Sequence, residues 1–133
     1  DEMELVMQRA RSNTSQMLDA FGHDRGKCQL IRGNSIEVLR RMVWKQGWAG
    51  IARETVDLCM VDGDHGARAV WDDCRYVYRL LKKGGRMILD DVENKKQYTD
   101  HVKQGIQFFL DEMGPDKLKL VAKDNHIEIY EKL

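Results

Sequence analysis

Proline is nearly absent from this chain, one in 133 residues, and glycine is modest at 11. That scarcity excludes a proline-rich linker or a low-complexity tail. A charged fraction of 33% beside 42% hydrophobic residues fits a folded chain. Cysteine is scarce too. Cys28, Cys59 and Cys74 are odd in number, widely spaced and without a CxxC pair. This excludes a disulfide framework and a zinc ribbon and points to a reducing, cytoplasmic compartment. No apolar run approaches the roughly 18–20 residues of a membrane span, and the start Asp1-Glu2-Met3-Glu4 is acidic rather than signal-like. Net charge is lacking as well, because 22 Lys and Arg balance 22 Asp and Glu. A general nucleic-acid binder needs a net basic face, so that class is set aside; a local basic patch stays compatible.

What is present is alternating helix and strand, in an amount that fits a single domain over residues 1–133. Helical spacing runs over about 3–21, stopped by Gly22. Cys28-Gln29-Leu30-Ile31 reads as a short strand. Asn34, with Glu37 three positions on, is a helix cap for about 36–43. The segment 44–54 lacks periodicity and reads as a loop, in which Trp44 and Trp48 either line a substrate mouth or pack as core or lid. Val56-Asp57-Leu58-Cys59-Met60-Val61 is a nearly continuous apolar run, expected of a parallel strand covered on both faces. Ala67, Val70, Cys74, Val77 and Leu81 then form one helical stripe, with Lys82-Lys83 at its end and Gly84-Gly85 as the exit turn. Met87-Ile88-Leu89 is a second buried strand. A helix over 99–113 and a terminal hairpin, 118–122 and 127–130, complete the order. Such alternation predicts an α/β sheet, mostly parallel, with a carboxy-terminal antiparallel hairpin.

In open α/β sheets, ligands bind beyond the carboxyl ends of the strands. Two strands end there in acids: Asp62, with Asp64 and His65 close behind, and the pair Asp90-Asp91. The strands flank one helix, so they are expected side by side, about 4.8 Å apart. Three carboxylates at one point raise each other's pKa unless a cation compensates, and oxygen ligands favour a hard divalent ion such as Mg²⁺. Against this stands the plain alternative that each Asp is a turn former or helix cap. His65, three positions after Asp62, is a candidate general base, with a surface role as its alternative. Gly33-Asn34-Ser35 forms a turn and cap whose amides are also open to a ligand.

Ile31-Arg32-Gly33-Asn34-Ser35, Val61-Asp62-Gly63-Asp64-His65, Leu80-Leu81-Lys82-Lys83-Gly84-Gly85 and Leu89-Asp90-Asp91, in that order, resemble the second half of a class I S-adenosylmethionine-dependent methyltransferase. The nearest subgroup is the metal-dependent O-methyltransferases, which include catechol-type enzymes and the macrocin or mycinamicin sugar methyltransferases. The resemblance covers about 25–133 and implies a Rossmann-like sheet lacking the first strands. It further implies S-adenosylmethionine held by Gly33, Asn34, Ser35, Asp62 and Gly63, with Asn34 and Ser35 at the adenine. Asp62, Asp90 and Asp91 match the Mg²⁺ ligands, and His65 matches the base of the sugar-modifying members. The acceptor would be a hydroxyl of a sugar, a glycan or another small diol. The family's glycine-rich loop and its ribose-binding acid have no counterpart here. The resemblance therefore reads as a partial domain, completed by a preceding segment, a second copy or a partner. Two rivals remain: a glycosyltransferase using Asp62-Gly63-Asp64 as a DxD motif, and a non-catalytic module completed by another subunit.

Overall fold

The computed structural model describes residues 1–20, 29–63, 66–90, 92 and 99–133. Its backbone forms two compact units, residues 1–33 and 34–133. The first unit is dominated by α1 (Glu2–Ala20), which begins with Glu2 and Glu4 in its first turn. Asp1 starts it, since its Oδ1 accepts the Glu4 N–H at 2.7 Å. The guanidinium of Arg32 stands 3.5 Å from Asp1 and 3.6 Å from Glu4. The strand expected at 28–31 is corrected in part. Cys28 lies outside the described residues, and 29–32 carry no strand. A strand exists through its ladder, and no described segment pairs with these residues.

The second unit runs α2 (Ser35–Val43), β1 (Val56–Val61), α3 (Ala67–Leu80), β2 (Leu81–Leu89), α4 (Thr99–Met113), β3 (Leu118–Asp124) and β4 (Ile127–Lys132). The sheet order is β1-β2-β4-β3. β1 and β2 are parallel, with Val61 opposite Leu89, while β2–β4 and β3–β4 are antiparallel. The sheet is thus mixed, α/β and Rossmann-like, and the two acid-tipped strands are neighbours as expected. Lys82-Lys83-Gly84-Gly85 differs from its expected role as helix end and turn, because it opens β2 directly after α3. Gly85 explains the tight join. A Cβ there would stand 2.8 Å from Lys82 O and 3.1 Å from Val56 O.

The core lies between one face of this sheet and α3 and α4. Val70, Cys74 and Val77 from α3, Val102, Ile106 and Phe109 from α4, and Met87, Leu89 and Tyr130 from the strands form one buried cluster. The predicted stripe of α3 is therefore its core face. Gly105 lets the helices touch, since a Cβ there would collide with Ala67 O and reach 3.0 Å from Val70 Cβ. Lys132 closes the carboxyl end of α3, its Nζ donating to Tyr78 O at 2.9 Å and Leu81 O at 2.8 Å. Cover on both faces of β1 is not what the described residues show. Leu58 and Met60, on the side away from the helices, are 60% and 50% exposed.

Candidate functional site at the strand ends

β1 and β2 stay paired to their carboxyl ends, where the Asp90 N–H donates to Val61 O at 3.4 Å. Asp62 and Asp90 are the next residues at one level of adjacent strands. Their surroundings differ. Asp62 is exposed and, among the described residues, makes no hydrogen bond or ion pair. Asp90 is mostly covered, and its Oδ1 lies 3.4 Å from His126 Nε2 in the β3–β4 turn. The same turn accepts the Val92 N–H at His126 O, 2.9 Å.

Behind the end of β1 lies a residue the sequence pattern had not marked, Asp73 of α3, which is 4% exposed. Its Oδ1 accepts the Ser35 hydroxyl at 2.9 Å. Its Oδ2 faces Gly63, where an added Cβ would stand 3.4 Å away. Asn34 caps α2 as expected, its Oδ1 accepting the Ile36 N–H at 2.9 Å. Asp73 is therefore bonded to the start of α2 and stands next to the loop after β1, the two segments of this unit expected to hold a cofactor. Gly33 ends the first unit. A signal for Asp73 was present: it falls between Val70 and Val77 on the apolar stripe, where a carboxylate is costly unless it has a partner.

The same carboxylate acts on two thiols. Burial and then the charge of Asp73 raise the pKa of Cys59, and they push Cys74 up to about 12, with a smaller contribution from Cys59. Both cysteines are free and stay protonated at neutral pH, which removes them as nucleophiles. Asp64, His65 and Asp91 lie outside the described residues. Among the described residues no group of three His, Cys, Asp or Glu side chains gathers to hold a metal ion. Of the expected ligands, Asp62 and Asp90 share a strand edge, and Asp90 is engaged by His126. Trp44 and Trp48 line no mouth at this edge, because their loop packs against Val43, Leu80 and Val56, at the amino-terminal end of β1.

A parallel pair crossing over through α3, acids at its carboxyl edge and an antiparallel hairpin beyond define a Rossmann-like α/β domain with its candidate site at that edge. The family described as a methyltransferase domain matches residues 3–92, and the chain belongs to it. No curated protein matches the chain. Among solved structures it is similar to a Corynebacterium glutamicum protein, with a TM-score of 0.65 and 10% identity over 94% of this chain. It is also similar to a Clostridium thermocellum protein described as a candidate rRNA methylase, with a TM-score of 0.61 and 15% identity over 94% of this chain and 70% of that one. At such identities the likeness is one of fold. The chain spans 56% of the length of the Corynebacterium protein. Among the described residues no helix is long and apolar enough to cross a membrane.

Proposed function

We propose that this chain serves S-adenosylmethionine-dependent methyl transfer to a hydroxyl oxygen, at the edge carrying Asn34, Ser35, Asp62 and Gly63. The observation that carries this reading is buried Asp73, which accepts the Ser35 hydroxyl at the start of α2 and lies close behind Gly63 after β1. The residues present fit an adenosine-bearing cofactor there. Asn34 spends its Oδ1 on one first-turn amide of α2, and the remaining first-turn amides are donors for an adenine edge. When bound, S-adenosylmethionine supplies a methyl group on a cationic sulfur. The protein's part is to position that group and the acceptor in line and to keep water out. Exposed Asp62 lends negative charge at the same edge.

The finer parts of the proposal are a sugar or other diol acceptor, His65 as the group that takes the hydroxyl proton, and a divalent ion at Asp62, Asp90 and Asp91. Two carboxylates at adjacent strand ends, with a third next in the chain, support the ion. Calorimetry of the full chain with S-adenosylmethionine and, separately, with a nucleoside diphosphate sugar tests the main reading. The expected result is saturable binding of the first, weakened at least tenfold in Ser35→Ala. Binding of the nucleotide sugar alone would instead favour the DxD glycosyltransferase. Methyl transfer at full rate in the presence of a chelator would remove the ion.

A further inference from the structure

Between Glu37 and Glu54, residues 38–53 contain Arg40, Arg41, Lys45 and Arg53 and no acidic residue, in a chain whose total charge is zero. Arg53 is committed, its Nε donating to Val43 O at 2.8 Å at the end of α2. Arg40, Arg41 and Lys45 make no ion pair among the described residues. Beside them stand two indoles that the core leaves out. Ala49 and Ile51 of the same loop pack against Met42, Val43 and Leu80, whereas Trp44 is 71% and Trp48 37% exposed. Arg40, Arg41, Trp44, Gly47 and Trp48 line an open cavity of about 450 Å³, inside the roughly 300–1,000 Å³ span of small-ligand clefts. The Arg41 guanidinium already lies 5.5 Å from the Trp48 ring centroid.

The loop is held in this shape by its backbone. Trp48 and Ile51 exchange N–H···O bonds of 2.8 and 3.0 Å across Ala49 and Gly50, both at positive φ. Gly47, at φ 67°, sits where a Cβ would strike Ile51 O. The indoles are therefore presented on a fixed turn, which lowers the entropy lost on binding. Arginines in the last turn of a helix also complement its dipole, but that does not account for the exposed rings beside them. Flat π faces beside cations that make no ion pair among the described residues match a ligand with a base and a phosphate.

We propose that Arg40, Arg41, Trp44 and Trp48 form a second binding site that takes a nucleotide, its base stacked on an exposed indole and its phosphate paired with the arginines. The site lies at the amino-terminal edge of the strands, about 20 Å of strand away from Asp62, and is independent of methyl transfer. A free mononucleotide and one unit of a single strand share this chemistry. Indole fluorescence of the full chain is titrated at low salt with adenosine monophosphate, with hexa-adenylate RNA and with inorganic polyphosphate. Saturable quenching by either adenine ligand is expected. Trp44→Ala should weaken it about tenfold, the worth of one stacked base. Arg40→Gln with Arg41→Gln should lower the salt slope of strand binding by up to about two, one per lost phosphate contact. Binding of the monophosphate equal to that of the strand identifies a mononucleotide site, and much tighter strand binding identifies a nucleic-acid contact. Absence of quenching, quenching unchanged in Trp44→Ala, or polyphosphate binding as tightly as the RNA would overturn the proposal.

Discussion

Asp62 and Asp90 are the same residue type at the same level of two adjacent parallel strands, yet the fold treats them differently. The β1 end is shaped from behind. Buried Asp73 takes the Ser35 hydroxyl and underlies Gly63, and Asp62 itself is left open to solvent. The β2 end is occupied from the side. Asp90 lies against His126, and the hairpin turn also takes the Val92 N–H. A strand-end acid is thus available to a ligand only when the neighbouring elements do not use it. Adjacency of strands brings two carboxylates to one level and does not by itself aim them at one point.

The sharpest way to break this contrast is Asp73→Ala. Loss of a hydrogen bond to a buried carboxylate should cost about 1.5–3 kcal/mol in urea unfolding. It should also cut S-adenosylmethionine affinity at least tenfold, because Ser35 at the start of α2 loses its anchor beside the loop after β1. Asp73→Asn keeps an acceptor for Ser35 and should recover most of that affinity. Equal losses in both variants would mean that the charge matters rather than the tie. Gly105→Ala works on the same end from the far side. The added methyl meets Ala67 O at the first residue of α3, just beyond the β1 loop. Overpacking of this kind costs about 1–3 kcal/mol, read as a lower unfolding midpoint. Cofactor affinity should fall with it if the placement of α3 governs the site.

Alkaline pH probes the charge behind β1. The Cys74 pKa lies near 12 in the folded chain against 9.0 for an ordinary thiol. A group whose pKa is raised by folding binds its proton more tightly in the native state. Its contribution to stability is fully present below pH 9 and is lost as pH rises toward 12. Urea midpoints should therefore fall between pH 9 and pH 11, and less steeply in Cys74→Ala. Burial raises Cys59, Tyr78 and Tyr130 in the same direction, so the slope should shallow rather than vanish. An unchanged slope would mean that Cys74 feels neither the burial nor the Asp73 charge assigned to it.

Local pattern made β1, α3, α4 and the terminal hairpin legible, because each is set by side-chain periodicity, with Asp62 marking the end of β1 and Gly114 the end of α4. The Asn34 cap was legible for the same reason, as it spans only two residues. What escaped was long in sequence. Asp73 meets Ser35 across 38 positions, and no local rule says which polar atom a buried carboxylate on a helix stripe will find. The Lys82–Gly85 stretch misled because glycines and a helix end suggest a turn, while the ladder with β1 and the close approach at Gly85 make it strand. No local sign said that a histidine in a distant turn would lie beside Asp90.

The smallest expected effect lies at that histidine. The side chain of His126 is 48% exposed and its approach to Asp90 is long at 3.4 Å, so the pair belongs with surface ion pairs worth about 0–1 kcal/mol. His126→Asn should therefore shift the unfolding midpoint little and leave cofactor affinity unchanged. Its informative readout is divalent-ion binding. If Asp90 serves an ion together with Asp62, removal of the imidazole takes one competing neighbour from that carboxylate, and Mg²⁺ affinity, measured by calorimetry, should rise. If Asp90 is structural, the variant binds Mg²⁺ no better than the parent chain, and the two strand ends keep separate roles, Asp62 toward the ligand and Asp90 toward the hairpin.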